Sequence, residues 1–377
     1  MELADPVAQS FGSSTGESPG APAYRRATGG LREHRRDGLT RRASGRTVGS
    51  EPSPSQPAPH FVIVGTPRSG TTLVQRLACE LPGVVMPPET HFFSLFVPEL
   101  VRRRRLPLGR VALREELRRY GALETSRELD LDVDVVLDTL GGRCDSLVDL
   151  FGALVRHLAG EGEIYGEKTP THLRWWRPLT EAHPDLKVVA VVRDPRAVIA
   201  SNLAMPWGMK HHVTLAEMWR QDQRLIRQAR TELGHDRCLV LRYEDVVAAP
   251  DSAREALKGL LMSRHGERPE GTATLRASSS FVQSWEWWKQ GTQGQVTTER
   301  VEAWRNQLSP RQATAIAAIC RREMQAFGYS ESVPGPIATV LRLARLGPSG
   351  QGRRYRLRRS RRRQLEWIDG LFRAPRG

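Results

Sequence analysis

Cysteine is scarce in this chain of 377 residues: Cys79, Cys144, Cys238 and Cys320 are the only four, and they lie far apart. No Cys-x-x-Cys or Cys/His cluster suggests zinc, and thiols so spread do not make a disulfide scaffold. A reduced, cytoplasmic setting is expected. Long apolar runs are lacking too, since none reaches the ~18 residues of a membrane span. Arg35-Arg36 and Arg41-Arg42 have no apolar stretch behind them, so no export signal is expected. Acidic residues are in deficit, 42 against 57 Lys and Arg, for a net charge of +15. Such a surplus suggests nucleic acid until it is located. Residues 1–58 hold eight Arg and six acids, and residues 342–377 hold twelve Arg and two acids. The stretch between them has 37 basic and 34 acidic side chains, so the body is nearly neutral and the basicity belongs to the ends.

What is present is a pattern of strand, glycine loop and helix. Residues 1–58 are rich in Ser, Gly, Pro and Arg and bury too little to offset chain entropy, so they are expected to be disordered. "HFVIVG" (60–65) is then a short, β-branched apolar run of the kind found in buried strands. "TTLVQRLACEL" (71–81) follows with Leu73, Leu77 and Leu81 on one helical face. A second unit, "LKVVAVVRDPRAVIASNL" (186–203), puts a strand at 188–192, an N-cap at Asp194 and a helix-starting Pro195. A third strand is expected at 238–242. Helices are expected at about 92–104, 148–160, 172–182, 214–233 and 310–326. The last has the clearest start, a capping box of Ser309, Pro310 and Gln312, and Gly328 ends it. Buried strands alternating with amphipathic helices predict a three-layer α/β/α domain around a mostly parallel sheet. The expected boundaries are 1–58 for a disordered segment, 59–335 for the domain and 336–377 for a basic tail.

The loop "GTPRSGTT" (65–72) has the glycine spacing of a phosphate-binding loop, but Thr71 occupies the usual lysine slot. Backbone N–H groups of Arg68, Ser69, Gly70, Thr71 and Thr72 at a helix start would form an anion nest. Arg68 is its cation and the two threonines its hydroxyl donors. The missing lysine, and Arg193 where a magnesium-binding acid would stand, argue against chemistry on the terminal phosphate of ATP. Arg193 follows the second strand, beside a helix start and with Ser201 two turns on, which makes a second anion site. Two such sites on one sheet suggest a nucleotide with phosphates at both ends.

"TPRSGTTL", then "VVRDPRAVIAS", then "LRYEDVVAAP" in this order resemble the sulfotransferases that use 3′-phosphoadenosine 5′-phosphosulfate, over about residues 60–330. The resemblance implies that the loop holds the 5′-phosphosulfate, with Arg68 as its cation. It implies that Arg193 and Ser201 bind the 3′-phosphate, that Tyr243 lies near the adenosine, and that no metal is required. It implies in-line sulfuryl transfer to a hydroxyl-bearing acceptor, a small molecule or a tyrosine. Lys168, in "YGEKTPTHL", matches the lysine that stabilises charge on the leaving phosphate. Glu89, in "MPPETHFF", matches the base of the tyrosylprotein-like and many bacterial members. Burial beside Phe92 and Phe93 is expected to raise its basicity. His172 is the rival base, matching a Lys-Thr-His run of the cytosolic branch, although "KTPTH" carries two extra residues.

The family's basic glycine run before "WRNQL" (304–308) is replaced by "TTERVEA", so part of the 3′-phosphate clamp must come from elsewhere. Lys289, Arg300 and Arg305 are the candidates. "WEWWKQG" (285–291), with Trp285 and Trp288, suits either an acceptor pocket or a core. The alternatives are a degenerate P-loop nucleotide kinase, needing ATP and Mg²⁺, and a protein acting through its tail. "RRYRLRRSRRR" (353–363) would then bind nucleic acid phosphates or, with Trp367 and Phe372 as anchors, an anionic membrane. The plain expectation for that tail is a solvated segment.

Overall fold

The computed structural model describes residues 58–205, 208–262, 283, 286, 297–329, 335–344 and 346–373. The N-terminal segment up to residue 57 lies outside them, as do Trp285, Trp288 and Lys289.

Among the described residues, seven strands run in chain order as β1 (Phe61–Gly65), β2 (Val84–Val85), β3 (Leu108–Gly109), β4 (Arg143–Cys144), β5 (Ile164–Lys168), β6 (Lys187–Val192) and β7 (Cys238–Arg242). Five form one parallel sheet in the order β2-β5-β1-β6-β7, while β3 and β4 make a small antiparallel pair. The unbroken apolar runs of β1 and β6 follow from coverage of both sheet faces. Phe61 and Ile63 enter one core cluster with Val189 and Val191. Val62 and Val64 enter the other with Val188, Ala190 and Val192. Period-two side chains sent to two separate cores are the signature of a sheet between helical layers. The helices Thr71–Cys79 and Pro250–Met262 cover one face. Leu147–Ala159, Pro195–Ala204, the long helix His212–Leu233 and Pro310–Ala326 contribute to the core on the other. The three-layer α/β/α class expected from the sequence is the fold observed.

β1 lies between β5 on one side and β6 on the other. Whatever follows β1 is therefore flanked by the ends of both neighbours, the arrangement that gathers ligand-binding groups at the carboxyl edge of a parallel sheet.

Several expected elements take another form. The stretch at 92–104 is a π-turn, Phe92–Phe96, followed by the helix Val97–Arg103. That at 172–182 is a 3-10 turn, Pro170–Trp175, and the helix Trp176–Ala182. The segment expected to be a solvated tail forms the helices Pro336–Ala344 and Gly347–Arg373. Ile368 of the final helix is buried in the larger core, with Leu365, Trp367 and Leu371 packed against it. Trp367 meets Trp175 edge to face at 6.0 Å, so it is not the free membrane anchor that the tail reading required. Among the described residues, no helix is long and apolar enough to cross a membrane.

Candidate active site

The loop after β1 needs both of its glycines. A side chain on Gly65 would meet the carbonyl oxygen of Val191 at 2.6 Å. Gly70 takes φ +92°, and a Cβ there would lie 2.3 Å from the Tyr243 ring. Arg68 is itself left-handed, with φ +76°, a conformation that costs a non-glycine residue about 1 kcal/mol. Its Nε then donates to Ser201 Oγ at 3.0 Å. The loop is braced from behind: Asn202 Nδ2 donates to Pro67 O at 3.4 Å, and Gln223 Nε2 to Thr66 Oγ1 at 3.1 Å.

Arg193 follows β6, as expected, and is 8% exposed. Asp194 does not neutralise it. That acid caps the following helix through the Arg196 N–H and forms an ion pair with the Arg196 guanidinium at 2.6 Å. Arg193 instead donates to two carbonyls, Arg68 O at 3.3 Å and Arg300 O at 2.6 Å, and stacks 4.2 Å over the Tyr243 ring. Tyr243, 7% exposed, thus supports Gly70 and Arg193 from beneath. Burial, then the neighbouring Arg193, pulls the Arg68 pKa down to about 10, and Glu89 partly offsets this. Burial also lowers that of Arg193. Both remain charged at neutral pH. Among the described residues neither is in an ion pair, and Arg193 Nε and Ser69 Oγ are buried with no hydrogen-bond partner. The sequence placed Arg68 and the Arg193–Ser201 pair at two separate anion sites. The structure joins them into one cradle, because Ser201 sits where the Arg68 side chain ends. Of the described replacements for the basic glycine run, Arg300 is close enough for its charge to act on Arg68, whereas Arg305 is paired with Glu302 at 2.8 Å.

Lys168 ends β5 and is fully buried. Its Nζ reaches Thr72 Oγ1 at 3.3 Å and Glu89 Oε1 at 2.5 Å. Glu89 Oε2 faces His91 Nε2 at 3.5 Å. Phe92 and Phe93, expected as an apolar wall for Glu89, are buried in the core, where Phe93 stacks on Trp175 at 4.6 Å. His172 is fully buried, and both ring nitrogens are engaged. Nε2 accepts from the Phe93 N–H at 3.2 Å, and Nδ1 lies 3.0 Å from Glu167 Oε2. That pairing leaves the imidazole no lone pair to offer a substrate.

Sequence reasoning passed over Glu167, which sits among polar residues of an unrecognised strand. It also passed over Gln75, whose Nε2 donates to Pro87 O at 2.8 Å, and Tyr120, whose hydroxyl donates to Thr90 O at 2.8 Å. Both hold the loop that carries Glu89, and no spacing signal marks them.

The sulfotransferase family model matches residues 59–261. Carbohydrate sulfotransferase 3 of Tetronarce californica is 27% identical over 184 residues, covering 42% of this chain and 39% of that protein. The protein-tyrosine sulfotransferase of Drosophila melanogaster is 24% identical over 208 residues, 54% of this chain and 38% of that protein. The chain thus spans about two fifths of the length of these relatives. Among solved structures, the sulfotransferase domain of the Synechococcus PCC 7002 olefin synthase aligns with a TM-score of 0.46 at 20% identity, over 74% of this chain and 98% of that one. The sulfotransferase domain from the curacin biosynthetic pathway gives 0.46 at 18%, over 74% and 100%.

Proposed function

This chain belongs to the sulfotransferase family, and from that premise we propose that it transfers a sulfuryl group in line from 3′-phosphoadenosine 5′-phosphosulfate to an acceptor hydroxyl, with Glu89 as general base. When bound, the donor supplies an activated sulfate whose transfer leaves negative charge on its 5′-phosphate. One observation carries the reading. A single buried ammonium, Lys168 Nζ, bridges the anion loop at Thr72 and the carboxylate of Glu89.

The residues suit such a donor. A buried Arg193 and a half-buried Arg68, in no ion pair among the described residues, and two orphaned polar atoms, Arg193 Nε and Ser69 Oγ, are costly until an anion fills the cradle. Arg193 and Ser201 hold the 3′-phosphate in this reading, with Tyr243 fixing the plane of Arg193. Arg68 exchanges its bond to Ser201 for one to the donor. Arg68, Lys168 and the loop N–H groups of Ser69, Gly70, Thr71 and Thr72 face the charge that develops on the 5′-phosphate. Glu89 takes the proton of the acceptor hydroxyl as its oxygen bonds to sulfur. The old S–O bond breaks with its electron pair left on the phosphate oxygen. Lys168 keeps Glu89 aimed until the acceptor arrives. The engaged nitrogens of His172 favour Glu89 over that rival. The acceptor class is a hydroxyl on a small molecule or a tyrosine, in keeping with the carbohydrate and protein-tyrosine names of the relatives.

Adenosine 3′,5′-bisphosphate without metal should stabilise the protein by about 2.7 kcal/mol at a hundredfold excess over Kd, read as a thermal shift. Glu89→Gln should keep that shift and lose about 10²-fold or more in turnover. Stabilisation by ATP with Mg²⁺ and none by the bisphosphate would replace this reading with the kinase one.

A further inference from the structure

The loop that carries Glu89 ends in four successive backbone N–H groups, and all four lead to one buried carboxylate. Thr90 N–H donates to Glu167 Oε1 directly, at 3.3 Å. His91 N–H donates to Thr169 Oγ1 at 3.3 Å, and that hydroxyl donates to Glu167 Oε1 at 2.5 Å. Phe92 N–H reaches Thr90 Oγ1 at 3.5 Å, and that hydroxyl donates to the same oxygen at 2.8 Å. Phe93 N–H donates to His172 Nε2 at 3.2 Å, and the opposite ring nitrogen lies 3.0 Å from Glu167 Oε2. Each path runs from donor to acceptor and finishes on Glu167, which is wholly buried. These are also the N–H groups at the entry to the π-turn Phe92–Phe96, which would otherwise have no partner within it. The left-handed conformation of His91, φ +49°, belongs to the same turn.

From this convergence we propose that Glu167 is the positioning residue of Glu89. It holds the loop at the angle that brings the Glu89 carboxylate to Lys168, its own neighbour on β5. The strand supplies both halves of the device, because successive side chains leave a strand on opposite faces. Lys168 points to the side of Thr72, while Glu167 points to the side of the 90–93 loop. The inference rests on the reading of Glu89 as the base. His172 in this account is a relay between Phe93 and Glu167, and Thr169 a relay between His91 and Glu167.

A carboxylate accepts all of these bonds and an amide does not. In Glu167→Gln the new NH₂ group either faces a hydroxyl hydrogen or turns on His172 Nδ1. The latter forces a proton onto Nε2, against the Phe93 N–H. The loop then loses at least one anchor, and a shift of about 1 Å in a catalytic group is worth up to about 10²-fold in rate. Glu167→Gln should therefore lower kcat by about 10- to 100-fold while the Kd for adenosine 3′,5′-bisphosphate stays within about twofold. The double variant Glu89→Gln/Glu167→Gln should be no slower than Glu89→Gln alone, because a misplaced residue that has no function loses nothing further. Thr169→Val, which keeps shape and removes one relay, should reproduce the loss, and Thr169→Ser should restore the rate. If Glu167→Gln does not fold, the Thr169 pair carries the test on its own. A folded Glu167→Gln with normal kcat, a loss of bisphosphate affinity in step with kcat, or full additivity with Glu89→Gln would each overturn the inference. A fully active Glu89→Gln would remove the base assignment as well; a slow Glu89→Gln beside a fast Glu167→Gln removes only the positioning role.

Discussion

Two regions of this molecule are built around arginines, and they are built in opposite ways. In the cradle, Arg68 and Arg193 lie side by side, in no ion pair among the described residues, held by carbonyls, a hydroxyl and the Tyr243 ring. In the clasp between the final helix and the long helix, each inward arginine meets an acid. Arg354 and Arg358 reach Glu217 at 3.4 and 2.8 Å, and Arg361 reaches Asp222 at 2.5 Å. Burial works against the charge of Glu217, yet the guanidiniums of Arg220 and Arg358 hold its carboxyl down at about 2. The side chain is the same in both regions. In one region the fold supplies the counter-charge; in the other, under the proposed function, it is left to the donor.

The sharpest way to break the comparison is to remove one arginine from each side. Arg193→Met should weaken bisphosphate binding by about 10³-fold, the cost of truncating a buried charge contact. It should change the stability of the ligand-free protein by less than about 1 kcal/mol, since among the described residues the lost guanidinium is in no ion pair and Asp194, the nearest acid in sequence, keeps Arg196 as its partner. A calorimetric titration and a urea melt measure the two. Equal losses in both would make Arg193 a structural residue. Arg361→Ala should do the reverse, lowering stability by about 2–3 kcal/mol because Asp222 loses its 2.5 Å ion pair and keeps only Thr66 and the charge of Arg174, with bisphosphate Kd unchanged.

A smaller effect follows from pH. A carboxyl held below its unfolded value contributes stability that is complete above about pH 4.5 and is lost as pH falls through about 2. Glu217→Gln should therefore be less stable than the parent by roughly 2 kcal/mol at pH 5. The gap should close by pH 2. A gap that stays constant with pH would mean that packing, not charge, holds the final helix.

The framework of the site was legible from residues that must be what they are. Gly65 and Gly70 are required by the Val191 carbonyl and the Tyr243 ring, so their spacing survives as a readable motif. The capping box at Ser309 and Gln312 forms as its pattern predicts. β1, β6 and β7 announce themselves because burial on both faces admits little but apolar side chains. β5 was not legible for the converse reason. "IYGEK" carries Gly, Glu and Lys although every residue of it is buried, so it lacks the apolar run that marks a core strand; under the proposed function its carboxyl end is part of the site. The final helix was misjudged because its arginines read as solvent-facing until Glu217 and Asp222, more than 130 positions earlier, are brought against them.

By itself, then, the order of residues determined where strands, glycine turns and capped helices begin, since those depend on neighbours within a few positions and on simple periodicity. It also determined that Arg68 and Arg193 follow strands, while Lys168 and Glu89 stood out only through the family resemblance. Only the tertiary structure decided which of them meet. The parallel order β5-β1-β6 brings Lys168 and Arg193 to either side of one loop, and Glu167 gathers the loop that carries Glu89. Electrostatic and hydrogen-bonding partners are set by distance in space, and a chain folded over β1 makes neighbours of residues that the sequence keeps a hundred positions apart.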